Sequence, residues 1–226
     1  RFEDGGDALP GGRGEAAAVN VGELVYVIGG YSGAEALQGT LVLTPRVNGS
    51  GLNVAVETTL SLSVGRIAPL VAPIGQLLIV AGGASAPDPA RPGQPFRNAL
   101  SSVDGLDVTS PGSRLPPGDP SLERRVFGGA ASLKNRTVLV AGGASLTDTG
   151  LRVHKNAEIH YVDQAGKLKA LPTNMPMRTA RERLRLTSLR DGTVLVTGGV
   201  DADGATLNTA EIFQPTYSPT PSGPFE

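Results

Sequence analysis

Few side chains in this sequence could do chemistry, and those that could do not follow a recognised catalytic pattern. The 226 residues include two histidines, His154 and His160, and no cysteine. Thiol nucleophiles, disulfide frameworks, iron–sulfur clusters and cysteine-ligated zinc are therefore excluded. Neither histidine has a carboxylate at the spacing of a metal or acid–base motif. We interpret both as surface polar residues, with a binding role for His154 as the alternative.

Two short acidic stretches, "TDTG" at 147–150 and "DADG" at 201–204, resemble fragments of calcium-binding loops. A complete loop needs further oxygen ligands and a glutamate at its twelfth position, and neither stretch has them. Asp-Gly between strands is more often a turn. We therefore expect no metal or other cofactor, with Ca²⁺ bound by Asp201 and Asp203 as the alternative.

The segment "MRTARERLRLTSLR" at 177–190 contains five arginines. On a strand, Arg181, Arg183 and Arg185 would share one face. They would then form a site for an anion or an acidic partner near a central channel. We favour the other interpretation, in which Arg181 is structural and the other arginines are solvated or paired with Glu182.

The longest loop, "ASAPDPARPGQPFRN" at 84–98, is rich in proline. Proline reduces the conformational entropy that a loop loses on binding. Arginine and aromatic residues often anchor interfaces, so Arg91, Phe96 and Arg97 are candidate binding residues. The alternative is an unstructured insertion.

The overall composition favours a turn-rich β protein. There are 31 glycines and 18 prolines, yet 39% of the residues are hydrophobic, so disorder is not expected. A net charge of −1 gives no general attraction to nucleic acid or to anionic lipid. No apolar run approaches the roughly 20 residues that a membrane-spanning helix needs. We therefore expect neither a nucleic-acid partner nor a membrane span.

A repeat runs through the chain. An apolar run ends four times in a glycine doublet, and an arginine precedes each doublet by a similar distance. The second glycines are 53, 60 and 56 residues apart, and the arginines are 53, 59 and 56 residues apart. Periods near 50 indicate a propeller or a related array. The residues of the repeat are Arg13, Gly29, Gly30, Arg66, Gly82, Gly83, Arg125, Gly142, Gly143, Arg181, Gly198 and Gly199.

Each repeat predicts a propeller blade. A small-residue run, an apolar run that ends in the doublet and a third run occur in every repeat, and a weaker fourth run follows in the first three repeats. Four such runs are typical of four antiparallel strands. Glycine tolerates positive φ and lets the backbone approach a neighbour closely, so we interpret the doublets as structural. The regular recurrence of the arginines favours hydrogen bonds between blades over four separate binding sites.

These motifs resemble the kelch repeat, with "LVYVIGG" at 24–30 close to its consensus and "NAEIHYVD" and "NTAEIFQP" similar to its third strand. The resemblance implies an all-β kelch-type β-propeller with four recognisable four-stranded blades at about 10–62, 63–121, 122–177 and 178–215. A Pro/Ser-rich tail or linker follows at 216–226. The tryptophan that the family has on its fourth strand is absent. The copper chemistry of galactose oxidase-like members cannot apply without cysteine, and no catalytic residues of sialic-acid-processing members can be matched here.

Four blades are few for a kelch ring, so we expect tight closure or completion by another chain or a further segment. The N-terminal segment, with "ALP" at 8–10, could supply a missing outer strand, because blade 4 loses its pattern after "EIFQP". We expect a non-catalytic module that binds a protein or glycan partner in a larger assembly, in an extracellular, cell-surface or periplasmic location in a bacterium. The alternative is a small-molecule, sugar-type enzyme with a site at the channel mouth.

Overall fold

The computed structural model describes residues 9, 11–48, 51–88, 95–110 and 113–215, without the side chains of 45–48, 51–59 and 95–96. This part of the chain is all-β apart from one 3-10 turn at Pro95–Asn98. It folds into four consecutive antiparallel blades of a β-propeller, as the repeat predicts. No helix in these residues has the length and apolar character needed to cross a bilayer.

Blade 1 is a four-stranded meander of β1 (Ala17–Val21), β2 (Leu24–Ile28), β3 (Gly39–Asn48) and β4 (Gly51–Ser61). Blade 2 has three strands, β5 (Leu70–Ile74), β6 (Leu77–Ala81) and β7 (Val103–Asp107). A bridge between Leu106 and Arg114 is all that the described residues show of its fourth strand.

Blade 3 contains β8 (Gly129–Leu133) and β9 (Thr137–Ala141), then a separate hairpin of β10 (Ala144–Thr147) and β11 (Gly150–Val153). β12 (Ala157–Val162) and β13 (Leu168–Pro172) complete its four-stranded sheet. Blade 4 has three strands, β14 (Arg185–Ser188), β15 (Val194–Thr197) and β16 (Ala210–Phe213). In the part of the chain that the structure describes, four strands per blade are therefore present in blades 1 and 3, and three in blades 2 and 4.

The core lies between the blades. The second strand of each blade alternates side chains to its two faces, so a continuous apolar run can fill two interfaces. In β9, Val138 and Val140 pack toward blade 2, whereas Leu139 and Ala141 pack toward blade 4. The first strands, β1, β5, β8 and β14, pack in sequence around the propeller axis.

One backbone hydrogen bond recurs where consecutive blades meet. The N–H of the second glycine of a doublet donates to the carbonyl of the arginine that begins the next blade. The N···O distances are 2.7 Å for Gly30 to Arg66, 2.9 Å for Gly83 to Arg125 and 2.9 Å for Gly143 to Arg181. The first glycine of the doublet has φ of +62° at Gly29, +58° at Gly82 and +65° at Gly142, and a Cβ there would lie 2.5–2.6 Å from that same carbonyl. Any side chain would therefore separate the two blades.

Blade 4 departs from this rule at its outer face. Gly198 has φ of +60°, yet a Cβ there would meet no atom of the described residues closer than 3.9 Å. The N–H of Gly199 has no backbone acceptor among the described residues, and the carbonyl of Arg13 likewise has no such donor there. Ile212, on the face turned away from blade 3, is 56% exposed. The four blades therefore form an open arc.

Candidate binding site

The end of the blades that carries the doublets and the loops after them is here called the loop face. The repeat arginines anchor it from within. Arg125 donates through Nη1 to the carbonyls of Gly142 (2.7 Å) and Asn156 (3.2 Å), which belong to its own blade. Arg13, Arg66 and Arg181 do the same in theirs. The expected hydrogen bonds between blades are made by the main-chain carbonyls of Arg66, Arg125 and Arg181, whereas each guanidinium caps the second and third strands of its own blade.

A carboxylate from the third strand pairs with the arginine in three blades. The nitrogen–oxygen distances are 2.8 Å for Arg66–Asp104, 3.2 Å for Arg125–Glu158 and 2.9 Å for Arg181–Glu211. Each carboxylate also accepts from the backbone N–H of the residue three positions before its arginine, which is Ser63, Leu122 or Arg178. We call this arrangement the staple, because it fixes the linker between blades to the buried arginine.

The staples set the charge state of their carboxylates. Burial raises the pKa of Glu158, but the nearby His160 ring, the charge of Arg125 and the N–H of Leu122 outweigh it and hold that pKa below its ordinary value. Burial likewise raises the pKa of Glu211, and the N–H groups of its linker together with Arg181 reverse the shift. Both groups therefore remain ionised.

Sequence reasoning missed these carboxylates. Each carboxylate is the middle residue of a three-residue stretch in the third run of its blade: "VDG" for Asp104, and "AEI" for both Glu158 and Glu211. Blade 1 has Leu41 at the equivalent place opposite Val27, where blade 2 has Asp104 opposite Val80. Aligning the third runs on their pairing with the second runs would have found the position.

The channel mouth on the loop face is formed by the residues two positions after the repeat arginines: Glu15, Ala68, Phe127 and Arg183. All four have left-handed φ, between 48° and 56°. Their main chains connect neighbouring blades, since Ala68 N–H donates to the Glu15 carbonyl (2.8 Å) and Arg183 N–H to the Phe127 carbonyl (2.6 Å). These bonds fix the positions of the four residues where neighbouring blades meet.

Arg183 is the charged centre of the channel mouth. Its guanidinium carbon lies 3.6 Å from the centroid of the Phe127 ring, and Nη1 lies 3.8 Å from Oε1 of Glu15. The side chains of Arg183 and Glu15 are 41% and 52% exposed. Arg181, Arg183 and Arg185 do not form one shared face, and Arg181 has the structural role that the sequence favoured. Arg181 is fully buried in its staple, because the left-handed Arg183 interrupts the extended chain before β14 begins.

The interpretation of the histidines as surface residues is also wrong, because His154 is 2% exposed and His160 is fully buried. His154 lies at a repeat position that is leucine in the other blades. The N–H of His154 donates to the carbonyl of Gly143, the second glycine of its doublet. The residues that make the same bond in the other blades are Leu37, Leu100 and Leu207. Nε2 of His154 lies 3.0 Å from the hydroxyl of Ser145. Burial, then the charge of Arg125, lowers the pKa of His154 to about 4, so the ring is neutral.

His160 is near both a serine and a carboxylate, which are the components of a hydrolytic triad. Its Nε2 lies 3.4 Å from Oγ of Ser121 and 3.6 Å from Oε1 of Glu158. In a triad the two ring nitrogens divide these partners, one facing the nucleophile and the other the acid. Here one nitrogen faces both and all three residues are buried, so the cluster is a structural extension of the staple.

The remaining candidates lie apart from one another. Oδ1 of Asp201 accepts from the N–H groups of Asp203 and Ala205, which closes a turn, and no group of three metal-ligating side chains occurs in the described residues. Arg97 is 67% exposed beside Asp88 at 3.7 Å, and Arg185 is exposed on blade 4. Arg91 and the side chain of Phe96 lie outside the described residues.

No protein-family model and no curated protein sequence matches this chain. Among solved structures, the structure of YjhT aligns with a TM-score of 0.66 and 15% sequence identity over 89% of this chain. The chain spans 66% of the length of YjhT. At this identity the likeness concerns the fold alone, and it supports a kelch-like β-propeller only at the level of architecture.

Proposed function

We propose that this chain is a non-catalytic binding module that holds an acidic protein or glycan partner on its loop face. The observation that carries the proposal is Arg183, a partly exposed cation held against Phe127 at the channel mouth. The repeat arginines of blades 2, 3 and 4 are buried in staples, so their charges are satisfied internally. The charge of Arg183 is directed to the surface instead.

The present partner of Arg183 can be displaced. A half-exposed ion pair at 3.8 Å contributes about 0–1 kcal/mol. An anionic group that forms two aligned hydrogen bonds with the same guanidinium would be the stronger partner. The stack on Phe127 keeps the guanidinium in place when Glu15 is displaced, which reduces the entropy lost on binding.

The experiment compares two charge-removing variants on panels of immobilised glycans and bacterial surface proteins. We expect Arg183→Ala to weaken binding of the acidic ligands at least tenfold, with a melting temperature close to the parent. Lys167→Ala, an exposed cation at the opposite end of blade 3, is the matched control and should bind normally. Equal binding by the parent and Arg183→Ala, or no binding by the parent, would overturn the proposal.

We also infer that the open face of blade 4 receives a further blade in the assembled protein, supplied by another chain or by a further segment. Gly198 has the same left-handed φ as the glycines that face the next blade elsewhere in the chain. The N–H of Gly199 corresponds to the donor that, in the other doublets, bonds to the arginine carbonyl of the next blade. The unmatched third of YjhT equals about two blades of this size. An extracytoplasmic location belongs to the same proposal, and cell fractionation tests it.

A sugar-type enzyme is the second candidate, because Glu182 places a buried carboxyl group beside Arg183. Glu182 is 8% exposed, and its Oε2 has no hydrogen bond with the described residues. Burial raises its pKa, although the charge of Arg183 opposes the shift. A raised pKa suits a general acid. Turnover of any reducing sugar, followed by NMR and abolished in Glu182→Gln, would favour this function over the first.

A further inference from the structure

A second feature of the loop face is a cleft of about 240 Å³ where blade 3 meets the linker from blade 2. Leucine, alanine and proline side chains form its walls, and two fully buried charged residues lie at its base. We call it the anchor cleft. Its walls contain Leu122, Ala157, Pro172 and Pro176, its base contains Arg125 and Glu158, and Glu123, Asn156 and Thr173 complete its lining.

The arginine at the base has two hydrogen bonds fewer than Arg66 and Arg181, and both of the missing ones are at Nη2. In Arg66 and Arg181 this nitrogen donates to the carboxylate of the staple, at 2.8 and 2.9 Å, and also to a hydroxyl. Nη2 of Arg66 donates to Oγ of Ser102 at 3.0 Å, and Nη2 of Arg181 donates to Oγ1 of Thr209 at 3.2 Å. The equivalent residue in blade 3 is Asn156, whose carbonyl accepts from Nη1 of Arg125. No side-chain oxygen of the described residues accepts a hydrogen bond from Nη2 of Arg125.

The side chain of Asn156 is occupied elsewhere. Its Nδ2 donates to Oε1 of Glu123 at 3.2 Å, and the same oxygen accepts from Nη2 of Arg152 on the β10–β11 hairpin at 3.1 Å. The amide is thereby held toward the hairpin and away from Arg125. Nη2 of Arg125 and Oε1 of Glu158 remain 3.2 Å apart as an ion pair without hydrogen-bond alignment.

The chemistry of the base selects the ligand. One N–H donor and one carboxylate acceptor lie side by side and together carry no net charge. A hydroxyl, which accepts one hydrogen bond and donates another, satisfies both, whereas a charged group would be buried without a counter-charge. The apolar walls require that the rest of the ligand be apolar.

We propose that the anchor cleft binds a tyrosine side chain of a protein partner, with the phenol hydroxyl between Arg125 and Glu158 and the ring between the leucine and proline walls. Tyrosine combines an apolar body with a polar tip and is enriched at interfaces. A glycan fits less well, because most of its hydroxyls would face carbon. The exposed rim, with Leu122 at 53% and Met175 at 78%, also favours a protein surface. This inference rests on the proposed binding function and names a second anchor on the same face.

The test uses N-acetyl-tyrosinamide and N-acetyl-phenylalaninamide, which differ by the hydroxyl alone, in NMR titrations of the ¹⁵N-labelled protein. We expect the tyrosine compound to bind at least fivefold more tightly, with shifts centred on 122–125, 156–158 and 172–176. Asn156→Thr supplies Arg125 with the hydroxyl that Arg181 already has. This variant should be at least as stable as the parent and should bind the two compounds equally.

Each opposite result overturns the inference. Equal affinities in the parent, no binding of either compound, or a preference for tyrosine that persists in Asn156→Thr would each do so. Leu122→Ala should weaken both compounds alike, because it removes a wall and leaves the base unchanged. Failure here would leave the Arg183-dependent binding untouched, so the two proposals fail separately.

Discussion

Replacing the first glycine of a doublet by alanine should have very different effects in blades 3 and 4. Gly142 and Gly198 have nearly the same φ, +65° and +60°, so alanine pays the same conformational penalty of roughly 1–2 kcal/mol at either position. At Gly142 the new Cβ would lie 2.6 Å from the Arg181 carbonyl and 2.8 Å from Cδ2 of Leu184. At Gly198 the nearest atom would be 3.9 Å away.

The difference between the two variants measures the contact between blades. To relieve the clash at Gly142, blade 4 must move outward, which breaks the hydrogen bond from Gly143 to Arg181. Loss of that bond costs about 1 kcal/mol, and a buried donor left without a partner raises the cost to about 1–3 kcal/mol. We therefore expect Gly142→Ala to lower the free energy of unfolding by about 2–5 kcal/mol and Gly198→Ala to lower it by about 1–2 kcal/mol.

Urea unfolding followed by circular dichroism measures both losses in the free energy of unfolding for the isolated chain, when the same dependence on urea concentration is used for both variants. Equal losses would refute the account of the doublets. The same pair also tests ring completion. In an assembly with a further blade beyond blade 4, Gly198→Ala should become as costly as Gly142→Ala, or should prevent assembly.

Three further predictions follow from single side chains. Folded His154 resists protonation until about pH 4, whereas the unfolded residue protonates near pH 6.5. Stability present above pH 6.5 should therefore fall by about 3 kcal/mol as the pH drops to 4. His154→Leu, which introduces the residue of the other blades, should remove this part of the pH dependence in urea titrations at a series of pH values. Glu211→Gln should lower the free energy of unfolding by about 3 kcal/mol, because it leaves the buried Arg181 without its counter-charge. The control, Glu23→Gln at an exposed position, should change the melting temperature little. Similar effects of the two substitutions would contradict the role given to the staple. If the loop at 84–98 contains an anchor residue, replacing Phe96 and Arg97 together by alanine should weaken binding of the partner by about 2 kcal/mol. The melting curve should not change. Unaltered affinity would show that this loop is not part of the binding surface.

The fold could be predicted from the sequence because the repeat has two landmarks that move together. The apolar runs before the doublets became β2, β6, β9 and β15, and the third runs became β3, β7, β12 and β16. Sequence reasoning also identified a weak fourth run in blade 2 and none in blade 4, where three strands are found. Strand number there depends on pairing partners that residue patterns do not report.

The environments of the charged and polar residues could not be predicted in the same way. The staple carboxylates follow their arginines by 38, 33 and 30 residues, because loops of different length intervene, so no fixed spacing reveals them. The hairpin before His154 has no equivalent in the described residues of the other blades, so the alignment of the runs does not reveal its repeat position. Only the hydrogen bond from its N–H to Gly143 places it at the buried leucine position.

In a repeat protein the blades can be compared with one another, because each repeat position occurs several times in the same chain. Where the blades agree, as in the doublets and the staples, structural demand is a sufficient explanation. Where one blade departs, the repeat's demand no longer explains the residue. His154 replaces leucine, Asn156 stands where Ser102 and Thr209 cap an arginine, and Glu182 stands where Ile67 and Val126 are apolar. All three departures lie on the loop face of blades 3 and 4, next to the channel mouth or the anchor cleft. Their clustering on one face is the reason to look for the partner there.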